Sequence, residues 1–527
     1  MLHPDADPAR VRGHSRGGGA TSFSRIEPLA GAIPVSATAE LKLEGLAIAE
    51  WPDRVRRQTH RESVMFADLF GTADPDGGVS LTLLLSLPDG GRWLALRDRI
   101  EAESTYPSLV AGGFPAAEWY EREMLGSLGI HPVGHPHPES LLRGAALASA
   151  DMARFAPLPA GGHVVDFPLG PVRSGIVESG HYGIRTVGEE IVDLRLQLGF
   201  KHRGVEQMLA AVAWPLAPRV AERISGTDAV AHSMAAAGAL ERLLGVDVPL
   251  RARQLRSLFG ELERLYNHAG YQADLCGATG LAVAQAQFDI LKEQILRLAA
   301  RIAGHRYLFG TIVVGGVADD LDDAALNDVR DTVRPVRDAF EALIDLVATS
   351  SSHQDRLQTT GRLTLEEATR YAVVGPVARA SGLAVDARRD HPYAAYDALR
   401  PTLHVVDGGD AAARSQVRLE EGLASADLVL DLVEELRESA PLPALPSPAS
   451  RTLPGGTVGF GWAEGARGTE LHWVETDRAG AIGRYRVRSA SFACWQAFAR
   501  CVPGDNILTD FPIIEQSFGL SFAGSDR

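Results

Sequence analysis

A chain of 527 residues is longer than one ordinary domain, so at least two domains are expected. Acidic residues outnumber basic ones by 67 to 52, and the net charge of −15 excludes nucleic acid as the main partner, because phosphate binding needs a basic surface. No stretch of about eighteen uncharged apolar residues occurs, so no segment is predicted to span a bilayer and any membrane contact is expected to be indirect. Cys276, Cys494 and Cys501 fit no zinc or iron–sulfur spacing and are predicted to be buried packing residues of a cytoplasmic protein.

The N-terminal part of the chain divides into a polar tail and a small domain. Residues 1–39 are rich in Gly, Ser, Arg and Ala without hydrophobic periodicity, which predicts disorder. In residues 40–150, the apolar run at 79–87 is bounded by glycine and proline turns and predicts a buried strand. The pattern at 117–128 predicts a helix. We therefore predict a small α/β domain over 40–150, followed by a linker at 157–162.

The second domain, predicted over 163–527, is mainly helical. Apolar residues recur every three or four positions from Leu255 to Tyr266, with charged residues on the other face, as in a long bundle helix. Similar stripes occur at 288–298, 325–350 and 415–437. A proline-rich stretch at 440–450 then separates the bundle from a strand-like C-terminal segment. The predicted fold class is α+β, with a small N-terminal α/β domain before a mainly helical domain that has a minor β segment.

Several sequence motifs indicate a protein family, which hydrophobic periodicity alone does not. The motifs are EWYEREMLGSLGIHPVGHP at 118–136, VGEEI at 187–191, LGFKHRGVE at 198–206, ERISGTDAVAHS at 222–233, VPLRARQLRSLFGELERLYNHAG at 248–270, GPVARASGLAVDARRDHPYAAY at 375–396, GARGTELHWVE at 465–475 and DFPIIEQSFGLSFAGSDR at 510–527. The first resembles the 30-kilodalton-type subunit of respiratory complex I. The others resemble the 49-kilodalton-type complex I subunit and the large subunit of membrane-bound, formate hydrogenlyase-type (group 4) nickel–iron hydrogenases. The resemblance covers about 60–527 and implies a natural fusion of the two subunits.

The chain departs from the hydrogenase pattern at all four metal-ligand positions. The cysteines of that pattern fall on Ser225, Asp228, Ser521 and Gly524. A nickel–iron centre needs four thiolates, whereas a serine hydroxyl is a poor ligand for a soft metal and glycine has no side chain. The sequence therefore predicts that this chain binds no metal and no cofactor of its own.

The chain also departs from the complex I pattern, in which the vacated cavity binds a quinone head group. The histidine and tyrosine that hold the quinone in that family fall on Val177 and Gly226, and neither side chain can donate a hydrogen bond. Quinone thus remains one of several acceptors to consider. The other polar residues near these motifs are the candidates for an acceptor cavity: Arg173, His181, Tyr182 and His232.

Three retained residues are the candidates for catalysis. Glu178 matches the proton-relay glutamate of the hydrogenases that the chain resembles, and the alternative is an acid that braces a loop. Arg467 matches the arginine that overhangs their metal, and the alternative is a buried ion-pair partner. Because an unpaired buried charge is costly, we expect Arg467 to pair with Asp228 or Glu178 in one polar cavity.

Two functions remain open. In the first, the chain is a redox subunit of a complex I-like assembly, and it passes electrons from an iron–sulfur small subunit to a quinone or another small acceptor. In the second, it is a pseudo-catalytic scaffold of an ion-transporting membrane complex. Both imply membrane antiporter-like partner subunits and a peripheral place on the inner, cytoplasmic face of the cell membrane.

Overall fold

The computed structural model describes residues 40–101, 104–141, 163–174, 178–442 and 451–527. The predicted disorder of 1–39, the linker at 157–162 and Val177 lie outside these residues, as does most of the stretch at 440–450. Within the described ranges, no helix is long and apolar enough to cross a membrane.

The N-terminal region is a four-stranded sheet with flanking helices. Its elements are β1 (Leu41–Gly45), α1 (Trp51–Thr59), β2 (Met65–Ala73), β3 (Gly78–Leu87), β4 (Arg92–Glu101), β5 (Thr105–Pro107), α2 (Glu118–Leu128) and β6 (His131–Val133). The sheet has the order β1-β4-β3-β2, in which β1 is parallel to β4 and the other neighbours are antiparallel. The mostly buried β3 confirms the strand predicted at 79–87, and α2 confirms the predicted helix.

A second sheet leads into the helical part of the chain. It consists of β7 (Val164–Leu169), β8 (His181–Val187) and β9 (Glu190–Gln197), all antiparallel. The elements that follow are α3 (Val205–Ala211), α4 (Ala217–Ala221), α5 (Ala229–Leu244), α6 (Leu250–Ala278), α7 (Ala282–Ala303), β10 (Ile312–Val313), β11 (Gly316–Val317), α8 (Asp323–Thr349), α9 (Ser351–Leu357), α10 (Leu365–Arg370), α11 (Gly375–Ala380), α12 (Ala387–Asp390), α13 (Tyr396–Leu399) and α14 (Ala411–Glu438). The long helices α6, α7, α8 and α14 pack together as the predicted bundle.

Helix α6 is buried on nearly every side, including the face that carries its charged residues. Those charges are paired inside the bundle. Arg256 binds Glu241 through two hydrogen bonds of 3.0 and 2.5 Å, and Arg264 lies 2.6 Å from Glu421. The expectation of a separate charged face was therefore incomplete, because other helices cover that face and supply counter-ions.

The C-terminal part forms a three-stranded antiparallel sheet and three helices. These are β12 (Val458–Gly465), β13 (Gly468–Thr476), β14 (Ile482–Arg488), α15 (Ala490–Cys501), α16 (Phe511–Phe518) and α17 (Phe522–Asp526). Helix α5 lies directly on β12 at two glycines. A Cβ on Gly461 would come 2.0 Å from the carbonyl oxygen of Ala235, and one on Gly459 would come 2.4 Å from that of Ala239. This close approach brings the start of α5 next to the β12–β13 turn.

One apolar core runs from the N-terminal region into the C-terminal helices. It contains Trp51, Leu83 and Tyr120 from the first region together with Trp495 and Phe498 from α15. The three cysteines are free and buried, as predicted. The N-terminal sheet and the C-terminal segment therefore share a core, which holds the last helices in place.

Candidate functional site

Segments that are far apart in the sequence meet at the side chain of Arg467. Arg467 occupies the two-residue turn between β12 and β13 and is 8% exposed. Its Nη1 donates to Asp228 Oδ2 at 2.6 Å and to Thr227 Oγ1 at 2.7 Å, and its Nε donates to the carbonyl oxygen of Gly519 at 2.8 Å. The ion pair expected between Arg467 and Asp228 is thus confirmed. Burial opposes the guanidinium charge, but the carboxylate of Asp228, together with Tyr271, Glu178 and Glu470, outweighs burial and raises the pKa of Arg467 above its usual range.

The turn before α5 is polar and opens to solvent at one position. Ser225 Oγ donates to Asp228 Oδ2 at 2.9 Å, so this oxygen accepts from both the serine and Arg467. The other oxygen, Asp228 Oδ1, is buried without a hydrogen-bond partner in the described chain. Gly226 is exposed, and a Cβ there would meet no atom within 4 Å. An exposed position therefore lies in the same turn as the buried ion pair.

The last turn of the chain closes the other side of the site. Ser521 caps α17, because its Oγ accepts from the backbone N–H of Gly524 at 3.0 Å. The same hydroxyl donates to Glu178 at 3.0 Å, and Glu178 also accepts from the N–H of Ala523 at 2.8 Å. These contacts are those of the loop-bracing alternative. A role for Glu178 in proton relay stays a prediction.

The donor set at the former ligand positions does not fit a nickel–iron centre. It consists of two hydroxyls, one carboxylate and one glycine, and each of the three side chains already makes hydrogen bonds, with only Asp228 Oδ1 left without one in the described chain. The guanidinium of Arg467 also lies where it would repel a cation. In the part of the chain that the structure describes, no group of three or more His, Cys, Asp or Glu side chains could hold a metal ion.

Arg173 and Tyr182 form a separate cluster behind the C-terminal turn. Arg173 binds Glu515 in bidentate fashion at 2.8 and 2.8 Å, and the hydroxyl of Tyr182 donates to Glu515 at 2.7 Å. His181 is buried, and neither of its ring nitrogens has a partner in the described chain. Among the described residues, no hydrogen bond or ion pair joins these side chains to Arg467. Their contacts tie the opening loop to α16.

His232 lies deeper, on the inner side of α5. Its Nδ1 is 3.1 Å from Nε2 of His472, whose Nδ1 is 2.9 Å from the hydroxyl of Tyr485. Its Nε2 is 3.5 Å from Glu470. Burial, followed by the charge of Arg467, lowers the pKa of His232 to about 3. His232 is therefore neutral at physiological pH. It belongs to a buried chain of polar side chains rather than to the exposed turn at Gly226.

Two acids and a tyrosine near the site were missed by sequence reasoning. Glu263 accepts from the N–H groups of Val230 and Ala231 at 2.7 and 3.0 Å, and it thereby caps the start of α5. Burial, followed by the charge of Asp228, raises the pKa of Glu263 well above its ordinary range, and the same is true of Glu470. Tyr271 lies in α6, with the guanidinium of Arg467 against its ring. Glu263 and Glu470 belong to motifs that were recognised, but a helical stripe or a strand pattern does not reveal which residue faces a distant turn.

Comparison with known proteins gives the relationships of the whole chain. Residues 48–157 match the family described as the 30-kilodalton subunit of respiratory-chain NADH dehydrogenase, and residues 280–450 match the 49-kilodalton subunit. The chain is 28% identical to formate hydrogenlyase subunit 5 of Escherichia coli, across 90% of this chain and 87% of that protein. It is 32% identical to a subunit of the NADH-quinone oxidoreductase of Streptomyces coelicolor, across 60% of this chain and 83% of that protein.

A solved structure gives the same relationship at the level of the fold. A chain of the membrane-bound sulfane sulfur reductase, an archaeal respiratory membrane complex, superposes with a TM-score of 0.63 at 25% identity. The match covers 69% of this chain and 98% of that one. The chain therefore belongs to the family of 49-kilodalton-type complex I subunits and related hydrogenase large subunits of membrane respiratory complexes, as a fusion with a 30-kilodalton-type region.

Proposed function

We propose that this chain is a core peripheral-arm subunit of a complex I-like oxidoreductase and passes electrons to a small acceptor, such as a quinone, without a nickel–iron centre. The electrons come from an iron–sulfur small subunit. The acceptor binds beside Arg467, at the turn that contains the exposed Gly226. Antiporter-like subunits connect the assembly to the cytoplasmic side of the membrane.

The observation that carries this proposal is the retention of a buried, fixed cation next to an exposed turn. When an acceptor takes up electrons, negative charge develops on its oxygen or sulfur atom, and a preorganised cation in a water-poor site stabilises that charge. Arg467 is held at three points and cannot turn away. The names of two relatives refer to quinone and to sulfane sulfur, which supports an acceptor that varies while this type of subunit stays the same.

Protons for the reaction are available close to the cation. Reduction of a quinone to its hydroquinone takes two electrons, which the iron–sulfur partner supplies, and two protons. Burial, followed by the charge of Asp228, raises the pKa values of Glu263 and Glu470 well above the ordinary range of a carboxyl group, which favours their protonated forms. In this proposal, these carboxyl groups are the nearby proton donors for the reduced acceptor.

A substitution of Arg467 tests the proposal in the purified assembly. Arg467→Met should lower the rate of electron transfer to a soluble quinone by about 10²-fold, as the loss of one electrostatic donor does in acyl-transfer sites. Arg251→Met is the matched control, because Arg251 is equally buried but pairs with Asp320 in the bundle. An unchanged rate in Arg467→Met, with the assembly intact, would contradict the redox proposal.

One observation favours the scaffold as a second candidate. The residues at the former ligand positions form hydrogen bonds within the chain. Asp228 accepts from Ser225 and Arg467, and Ser521 donates to Glu178. Such a network stabilises the fold around a site that carries out no reaction. Under this function, Arg467→Met lowers stability and leaves every electron-transfer rate of the assembly unchanged.

A further inference from the structure

Tyr271 has a hydroxyl group that no neighbour uses. The residue lies in α6 and is 7% exposed, and its hydroxyl is buried without a hydrogen-bond partner in the described chain. Two guanidinium groups lie against its ring, with the Cζ atoms of Arg418 and Arg467 at 4.1 and 5.2 Å from the ring centroid. A buried donor without an acceptor is rare in folded proteins and points to a partner outside the protein.

Two contacts place Tyr271 beside the polar turn and the C-terminal turn at once. Asn267, one helical turn earlier on α6, donates to the carbonyl oxygen of Thr227 at 2.6 Å, so this face of α6 lies against the turn at 225–228. On the other side the ring packs on Gly519, where a Cβ would come within 2.6 Å of it. Tyr271 therefore stands between the two segments that flank Arg467.

A buried tyrosine without a hydrogen-bond partner does not by itself indicate a binding site, and Tyr106 provides a comparison. Tyr106 also has a buried hydroxyl without a partner, but it lies in the apolar core of the N-terminal region. Tyr271 differs because two cations face its ring and because the adjacent turn contains the exposed Gly226. Burial raises the pKa of the Tyr271 phenol, so the group remains a donor throughout the physiological range.

We infer that Tyr271 donates a hydrogen bond to a carbonyl or similar oxygen of the acceptor that binds beside Arg467. This inference rests on the proposed function and narrows it to acceptors that present an oxygen atom. Arg467 supplies the positive charge, and Tyr271 supplies direction, because a phenol donates along a single O–H bond whereas a cation attracts from all sides. Tyr271 is thus a residue that positions the acceptor.

The test uses the purified assembly with the full chain, and decylubiquinone is the probe. Tyr271→Phe keeps the ring and its packing but removes the donor, so the dissociation constant should rise about fivefold to tenfold. The infrared carbonyl band of the bound quinone should move to higher frequency, which a purely structural role of Tyr271 would not cause. Tyr106→Phe is the matched control and should change neither quantity.

The outcomes separate this inference from the proposed function. If the wild-type assembly binds no decylubiquinone, the result contradicts both quinone as the acceptor and the role of Tyr271. If the wild type binds and Arg467→Met weakens binding, but Tyr271→Phe leaves the affinity within about twofold and the carbonyl band unmoved, only the inference is overturned. Should Tyr271→Phe fail to assemble, 3-fluorotyrosine at position 271 replaces it. This more acidic phenol should shift the band to lower frequency, and an unmoved band overturns the inference.

Discussion

The ion pair between Arg467 and Asp228 should dominate the local stability of the candidate site. Arg467→Met removes one charge-assisted hydrogen bond to Asp228 and two hydrogen bonds to neutral oxygens. It also leaves the carboxylate of Asp228, which is 2% exposed, without its counter-ion. Removing one partner of a buried pair costs about 3–5 kcal/mol. The site should therefore open roughly 10² to several times 10³ more often in the variant.

Hydrogen exchange measured by mass spectrometry reports this opening directly. Peptides that cover 222–233 and 515–527 contain the two segments that Arg467 joins, and their slowest amides should exchange faster by that factor. Peptides from the α7–α8 hairpin provide an internal reference, since the hydrogen bonds of Arg467 reach the turn at 225–228 and the C-terminal turn instead.

A double variant distinguishes the loss of the pair from a loss of packing. Asp228→Asn in the Arg467→Met background removes the stranded charge, so about 2–3 kcal/mol of the destabilisation should be recovered. If the double variant opens as readily as Arg467→Met alone, or if neither variant changes exchange, the reasoning about a buried ion pair is refuted.

Three further outcomes follow from particular residues. Elemental analysis of the purified assembly should find no stoichiometric nickel in this chain, and about one nickel atom for each chain would refute the ligand argument. Burial raises the pKa of Glu121 from 4.5 to about 7, so the stability that its neutral carboxyl provides is complete below pH 4.5 and is lost as the pH rises through 7. Glu121→Gln should reduce the difference in urea stability between pH 5 and pH 8 by about 3 kcal/mol, and an unchanged difference would show that burial does not shift this group. Gly461→Ala should cost more than about 2 kcal/mol because its Cβ meets the backbone of α5, whereas Gly226→Ala should cost less than about 1 kcal/mol, and equal thermal shifts in the two variants would contradict the close approach.

Local patterns were enough to predict the elements whose environment is local. The apolar stripe from Leu255 to Tyr266 lies within α6, and the apolar run at 79–87 lies within β3. The pairing of Arg467 with Asp228 could also be predicted, because it required only that two charges in recognised motifs meet in one buried place.

Other features could not be predicted because their causes are far away in the chain. The charged face of α6 is buried because Glu421, 157 residues from Arg264, supplies a counter-ion on α14. Arg173 and Tyr182 both bind Glu515, which lies more than 300 residues later in the chain. Neither hydrophobic periodicity nor motif spacing carries information on such pairings.

The fusion of two subunit types has a structural consequence at the interface between the N-terminal region and the last strand. Arg486 on β14 binds Asp68 at 3.0 Å and Glu123 at 2.9 Å, and both acids are buried. The ring of Phe70 packs edge-on against Trp473 at 5.6 Å between centroids. The N-terminal region thus depends on the C-terminal sheet for the neutralisation of its buried acids and for part of its apolar cover.

Residues 40–141 should accordingly fail to fold when they are produced alone. Separation would leave Asp68 and Glu123 without Arg486, and it would expose Phe70 together with the face of the sheet that the C-terminal strands cover. The loss of a buried counter-ion alone costs about 3–5 kcal/mol, which is a large part of the stability of a domain of this size. The excised fragment should therefore show little chemical-shift dispersion in a nuclear magnetic resonance spectrum and should aggregate. A well-dispersed spectrum from a soluble fragment would show that the fused region is an independent domain, and that its contacts with β14 are a docking interface rather than part of a common core.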